Sequence, residues 1–329
     1  MAYSQGGLIQ ASDYNGFLGT TAASAAAINS IWSTGNGDCG YGQTALGTVS
    51  QAGLVTATQW ASAVNTLNSI KTHQTGSGTG IGAPTAGSLV SYLSTFSSSI
   101  STAYSSRLTY NSQGTTTNGG NNATAFSSAN GIAAQTFTVS RTATFSSGDA
   151  ARYFFNAGGK LSFVIGSSTN TGGTTRGGDL VTLASTNFVS YTAFGASSGG
   201  GRSGTGGTVT TNATNIGYYQ LTTSAQTLVN IGSTTSPYTG DYVLLQVQSN
   251  GTQGSNADKG TVITFTLTLY SAAQSAYPAP PANPPGSGST TNNTTTEDAI
   301  GITVNNYLSV IYPETTSLTT ASWGTVTLG

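Results

Sequence analysis

Charge is what this sequence has least of. Of 329 residues only 8 are basic and 9 acidic, about 5% where about 25% is usual. A chain this neutral lacks the repulsion that keeps soluble monomers apart, which points to a fixed assembly or an extracellular setting. The basic residues are scattered and none precedes Lys71, so no cluster exists to displace counterions from a nucleic acid. A single cysteine, Cys39, excludes an intrachain disulfide. One histidine, His73, beside one cysteine leaves no zinc-type ligand set. No run approaches 18 apolar residues, so no membrane span is expected. The opening MAYSQGGLIQASDYN has neither a basic nor an apolar signal region and is not read as a signal peptide.

What is present is glycine, 45 residues, with abundant Ser, Thr and Asn, and hydrophobic residues at 36% in patterned blocks. Disordered chains combine low hydrophobicity with high net charge, and here the net charge is −1. Folded β-structure with long polar loops fits better. An internal repeat occupies the first part of the chain. Gly7–Tyr14 (GLIQASDY) aligns without a gap to Gly53–Trp60 (GLVTATQW), and the copies close on Ile28–Ile31 (INSI) and Leu67–Ile70 (LNSI). Each copy predicts a helix with a Ser or Thr N-cap and an aromatic in its first turn. The first helix would bury Tyr14, Phe17, Leu18, Thr21, Ala25, Ile28 and Trp32; the second would bury Trp60, Val64, Leu67 and Ile70. Pro84 then suits a first helical turn, with Leu89, Leu93, Phe96, Ile100 and Tyr104 as the stripe of a third helix.

Residues 111–135 read as a polar linker and strands dominate from Thr136 onward. The expected strands are 136–145, 180–194, 218–231, 242–248, 262–270 and 300–312. In TVITFTLTLY, Ile263, Phe265, Leu267 and Leu269 alternate with polar residues, the period of a strand with one buried face. Ala151–Ile165 (ARYFFNAGGKLSFVI) reads as a hairpin turning at Asn156–Gly159. The fold class expected is α+β, mostly β. A helical docking or oligomerisation region (1–110) and the linker (111–135) precede an antiparallel β-sandwich or jelly-roll domain (136–329). Trp323, in a last strand, is expected to pack against a neighbouring strand or subunit.

No catalytic, cofactor-binding or metal-binding residues are read from the sequence, and no cofactor is expected. The glycine-rich loop 195–207 lacks the Gly-Lys-Ser/Thr of a phosphate cradle. Glu297-Asp298 sit in a polar stretch rather than on one scaffold, as sugar hydrolysis requires. His73, just past the second helix, is read as a helix-dipole partner. Asn122-Ala123-Thr124 and Asn250-Gly251-Thr252 are sequons expected by chance in so Thr-rich a chain.

Several blocks resemble a family of bacteriophage virion structural proteins. They are MAYSQGGLIQASDYN, INSIWSTGNGDCGYGQ, LVTATQWASAVNTLNSIKTHQTG, ARYFFNAGGKLSFVI and the closing IYPETTSLTTASWGTVTLG. The resemblance implies a component of a tail, fibre or capsid surface located in the virion, and it assigns no site residues. A particle assembled in the cytoplasm and released by lysis reconciles an extracellular-type composition with the missing secretion signal. The expectation is a non-enzymatic structural subunit, tail- or fibre-associated, docked by its N-terminal helices. Its partners would be copies of itself, with a trimer by analogy, and other virion proteins. A carbohydrate-binding adhesin module acting on host glycan is the alternative, and a capsid decoration protein a further one.

Overall fold

The repeat folds as two matched helix starts. In the computed structural model, which describes residues 10–87, 90, 93–128, 133–197, 200–253, 260–274 and 299–329, α1 is Ala11–Leu18 and α3 is Ala57–Thr75, with α2 (Ile28–Trp32) between them. At α3 the Thr56 hydroxyl accepts from Gln59 N while Gln59 Oε1 accepts from Thr56 N, a closed capping box. At α1 the equivalent Asp13 carboxylate reaches back to Gln10 N. Each helix then turns an aromatic inward one residue later, and the Tyr14 and Trp60 rings lie 5.9 Å apart.

The first copy is not one continuous helix. Gly19 adopts φ +64, and a Cβ there would stand 2.4 Å from the Ala27 side chain, so α1 stops and α2 restarts after a close crossing. Thr21 and Ala25 are consequently exposed, whereas Tyr14, Phe17, Leu18, Ile28 and Trp32 are buried. The four inward residues expected of α3, Trp60, Val64, Leu67 and Ile70, are all buried. The third helix, α4, is Leu93–Ser105 and buries Phe96, Ile100 and Ala103. It begins nine residues after Pro84, which is therefore not its first-turn proline, and Leu89 lies outside the described residues.

The remaining elements are β1 (Gln113–Asn118), β2 (Asn122–Ser128), β3 (Gln135–Thr144), α5 (Gly148–Asn156), β4 (Lys160–Asn170) and α6 (Thr175–Thr182), which runs into a π-helical turn, Leu183–Phe188. After these come β5 (Ser190–Phe194), β6 (Gly201–Arg202), β7 (Thr208–Asn212), a 3-10 turn at Tyr218–Gln220, β8 (Gln226–Gly232), β9 (Tyr242–Ser249), β10 (Val262–Ser271), β11 (Ile300–Pro313) and β12 (Thr327–Leu328). They form two antiparallel sheets. Sheet one has the order β1-β11-β4-β5-β6, with β2 also beside β11; sheet two has the order β12-β3-β10-β9-β8-β7. The sheets face each other through aromatic side chains, with Phe265 on β10 at 5.5 Å from Phe194 and 6.5 Å from Phe163. The chain is thus α+β and mostly β, built as a sandwich. Its apolar core is continuous with that of the helices.

Four readings of the sequence are corrected here. Ala151–Ile165 is not a hairpin but a helix, a glycine turn and a strand: the Ser147 hydroxyl caps Ala150 N, and α5 runs to Asn156 before β4 begins at Lys160. Residues 111–135 are not a linker, because β1 and β2 lie there and pair along β11 as an edge of sheet one. Of the strand expected over 180–194 only β5 is extended, the rest being α6 and its π-helical continuation. Within 218–231 the strand begins only at Gln226. Trp323 is buried within its own chain, in a turn preceding the short β12.

Candidate functional site

A dense set of polar contacts converges on one loop, Thr34–Gln43, between α2 and α3. The loop turns its carbonyls toward α5. Arg152, 2% exposed, donates to Thr34 O at 2.7 Å and also to Cys39 O, and pairs with Asp149 at 3.0 Å. Asn156 donates to Gly40 O at 3.1 Å, and the Tyr219 hydroxyl donates to Gly37 O at 2.7 Å. From the end of α4, Arg107 pairs with Asp38 at 2.5 Å. Gly42 has φ +71, and a Cβ on it would meet the Tyr153 ring at 2.4 Å and Ser322 Cβ at 2.7 Å. Only glycine fits there.

The same loop holds the closing segment. Gln43 Oε1 accepts from Thr319 N and Thr320 N, both at 2.9 Å, while Gln43 Nε2 donates to Thr320 O at 2.9 Å. Beneath the loop, the Tyr41 hydroxyl donates to Arg107 O at 2.8 Å and receives Gln74 Nε2 at 3.1 Å. Burial pushes that hydroxyl far above its ordinary pKa. His73 is no surface dipole partner. It is buried, its Nε2 donates to Ala157 O at 3.1 Å, its ring lies 5.2 Å from Tyr41, and burial lowers its pKa so that it is neutral. Cys39 is buried, and its thiol is pushed up to about 11, mainly by burial, which keeps it out of the reactive thiolate form. Of these groups His73 ties α3 to the end of α5, while Tyr41 and Cys39 are held within the helical end.

A second polar cluster lies at one end of sheet two, and nothing in the sequence singled it out. Arg176 Nε donates to the Ser271 hydroxyl at 2.7 Å, and that hydroxyl donates to Asp241 Oδ2 at 2.9 Å. Asp241 Oδ1 also accepts from Ala272 N at 2.8 Å. Nearby, Asp179 accepts from the Ser233 hydroxyl at 2.7 Å, while its other oxygen is buried without a partner. Burial pushes the Asp241 carboxyl up to about 6 and raises that of Asp179. The signal that could have found this cluster is an arginine and two aspartates in strand-rich stretches otherwise free of charge.

Three surface features remain. A groove of about 460 Å³ lies between Gly114-Thr115 and the segment 312–325, with Tyr312, Glu314 and Trp323 in its lining. A cleft of about 200 Å³ over the start of α3 is lined by Val55, Trp60, Pro84 and Val90, and the adjoining Leu54 is 85% exposed. The outer face of sheet two carries the rows Thr138–Thr268–Leu244, Ser140–Thr266–Gln246 and Thr142–Thr264–Gln248. At its end Tyr242 and Tyr270 stack at 4.6 Å.

The glycine loop 195–207 is cross-tied by Arg202, which donates to Asn187 O and Gly206 O, rather than opened toward a helix N-terminus. Asn122-Ala123-Thr124 lies on β2, and the Asn250 side chain serves its own turn by accepting from Thr261 N and Val262 N. Glu297-Asp298 and the loop 276–296 lie outside the described residues. Among the described residues no group of three or more His, Cys, Asp or Glu converges, and no helix is long and apolar enough to cross a membrane. No protein-family model, no curated protein and no solved structure matches this chain.

Proposed function

We propose that this chain is a non-enzymatic structural subunit of a bacteriophage particle, tail- or fibre-associated, docked through its helical end. The observation that carries the reading is the convergence at Thr34–Gln43. Blocks that resemble phage virion proteins are more than a hundred residues apart in sequence, yet GDCGYGQ, ARYFFNAGG and TTSLTTASWG meet there through Arg152, Asn156 and Gln43. A shared pattern spent on internal joints is what a scaffold requires, because its product is a fixed shape. The cleft over the start of α3, with Leu54 exposed beside it in sequence, is consistent with the helical end as the docking side. Mass spectrometry of purified virions is the test. The chain should be found there in amounts comparable to other structural proteins, and its absence would refute the proposal.

The outer face of sheet two favours a second reading, a carbohydrate-binding adhesin. On β3, β9 and β10 this face offers hydroxyls, amides and a stacked tyrosine pair, groups that bind sugars by hydrogen bonding and ring contact. Glycan-array binding lost on Tyr270→Ala would support it, and a blank array would remove it.

A further inference from the structure

We infer that His73 is an acid-sensitive latch: protonation of its imidazole frees the end of α3 from α5 and loosens the helical end against the sandwich. His73 is the one histidine of the sequence and is 2% exposed. It stands in the last turn of α3, and its Nε2 donates at 3.1 Å to the carbonyl of Ala157, the residue that follows α5. That bond crosses from the helices to the sandwich. It also fixes the ring proton on Nε2, so Nδ1 holds a lone pair. Nδ1 is buried, and no donor among the described residues reaches it.

Acid adds its proton at Nδ1, the ring nitrogen with the lone pair. The imidazolium then carries a second N–H that no acceptor in hydrogen-bond range receives. A buried charge without a partner is strongly unfavourable, so the charged ring is driven toward water. The neighbours give little relief. Tyr41 meets the ring edge to face at 5.2 Å, and its hydroxyl is committed to Arg107 O. The Arg107 guanidinium pairs with Asp38, Arg152 on α5 pairs with Asp149, and Lys160 at the start of β4 lies over the Tyr110 ring. Glu314, beyond β11, is the charge that favours the imidazolium. Burial holds the pKa of His73 below its ordinary value, against the smaller pulls of the Ala157 carbonyl and of Glu314.

A group whose pKa is lowered by folding takes up its proton more readily once exposed. The latch therefore holds fully above about pH 6.5, the ordinary histidine value, and weakens as pH falls below it. Both sides of the joint can give way. Gly76 closes α3 at φ +81, and Gly158 follows Ala157 at φ +95. The bonds from Arg152, Asn156 and Gln43 at the Thr34–Gln43 loop use side chains that do not titrate between pH 5 and 7, so they remain as the pivot. Opening also limits what acid can do. Once the ring is in water, a further fall in pH adds nothing through it, and the sandwich keeps the pH slope set by its own carboxyls. The latch rests on the surroundings of His73 and not on the virion reading.

The test uses the purified full chain and hydrogen exchange at the joint. Asn111 N donates to His73 O and Gly159 N to Phe154 O, both at 2.8 Å, so these amides report on the two sides. Corrected for intrinsic rates, their exchange should quicken by up to about tenfold from pH 7.5 to 5.5. Leu267, in the middle of β10, should keep its protection. His73→Gln retains an N–H for Ala157 O and has no proton to gain, so the acid response should vanish. A second measurement needs no variant, because a single histidine gives one set of imidazole signals in NMR. Those signals should titrate together with the opening of the joint amides. Equal protection at both pH values, an acid response that survives His73→Gln, or protonation of the ring while the joint stays protected would each overturn the proposal. Detection in virions is read separately, so either reading can fail alone.

Discussion

Arg152 shows how one side chain can hold two regions together. Its guanidinium is enclosed, and two of its nitrogens meet carbonyls of a loop more than a hundred residues earlier. Buried carbonyls left without donors cost about 1–3 kcal/mol each. Arg152→Met, similar in reach but without donors, should therefore lower the unfolding free energy by about 3 kcal/mol in urea titration. A loss below about 1 kcal/mol would mean that water replaces the guanidinium. Asp241 gives a prediction in pH. Its folded carboxyl is raised to about 6, and in an unfolded chain it sits near 3.9. The folded state holds the proton more tightly, so this stabilising contribution is complete below about pH 4 and is lost as pH rises through about 6. The difference corresponds to about 2–3 kcal/mol. The melting temperature should fall between about pH 4 and pH 7, and Asp241→Asn should remove most of that slope. An unchanged slope in the variant would refute the assignment.

Elements with one buried face were legible in the sequence, and elements without one were not. In β10 every second residue enters the core, so Ile263, Phe265, Leu267 and Leu269 announce the strand. β1 is QGTTTN and is exposed throughout. It is held to β11 by backbone pairing and one side-chain bond, Ser309 to Asn118, which leaves no period to read. In α5 the Tyr and Phe residues favour a strand by propensity, yet Ser147 three residues ahead of Ala150 is an N-cap signal, and packing decided the outcome. The repeat was visible because its signals are local, although the cap of α1 proved to be Gln10 rather than a Ser or Thr. The joint at Thr34–Gln43 was not, since its donors come from α5, the Tyr218–Gln220 turn and the closing segment. That segment supplies a third prediction. Deleting residues 318–329 removes buried Trp323 and the β12 pairing to β3. The loss of the indole alone should cost about 3 kcal/mol or more, seen as a lower melting temperature; an unaltered curve would show that the segment is ornamental.

Across the whole fold, the described residues are held mainly by apolar burial and hydrogen bonding. Only two ion pairs occur among the described residues, Arg107–Asp38 and Arg152–Asp149. Between about 0.05 M and 0.5 M sodium chloride, screening rises steeply. Even so, the melting temperature should move by less than about 2 °C, because these pairs are few and only their partly exposed members are open to screening. A large shift would reveal charge networks beyond these two pairs.

The clamp at Gln43 also sets an order of events during synthesis. Its partners Thr319 and Thr320 lie 276 and 277 residues downstream. At about 5–20 residues per second they emerge roughly 14–55 s after Gln43. Through that interval the glycine loop leaves the ribosome without its final closure, and Arg152, which arrives earlier, can engage it first. The helical end is therefore shaped in two stages, and its last hydrogen bonds form only when nearly the whole sandwich has been translated.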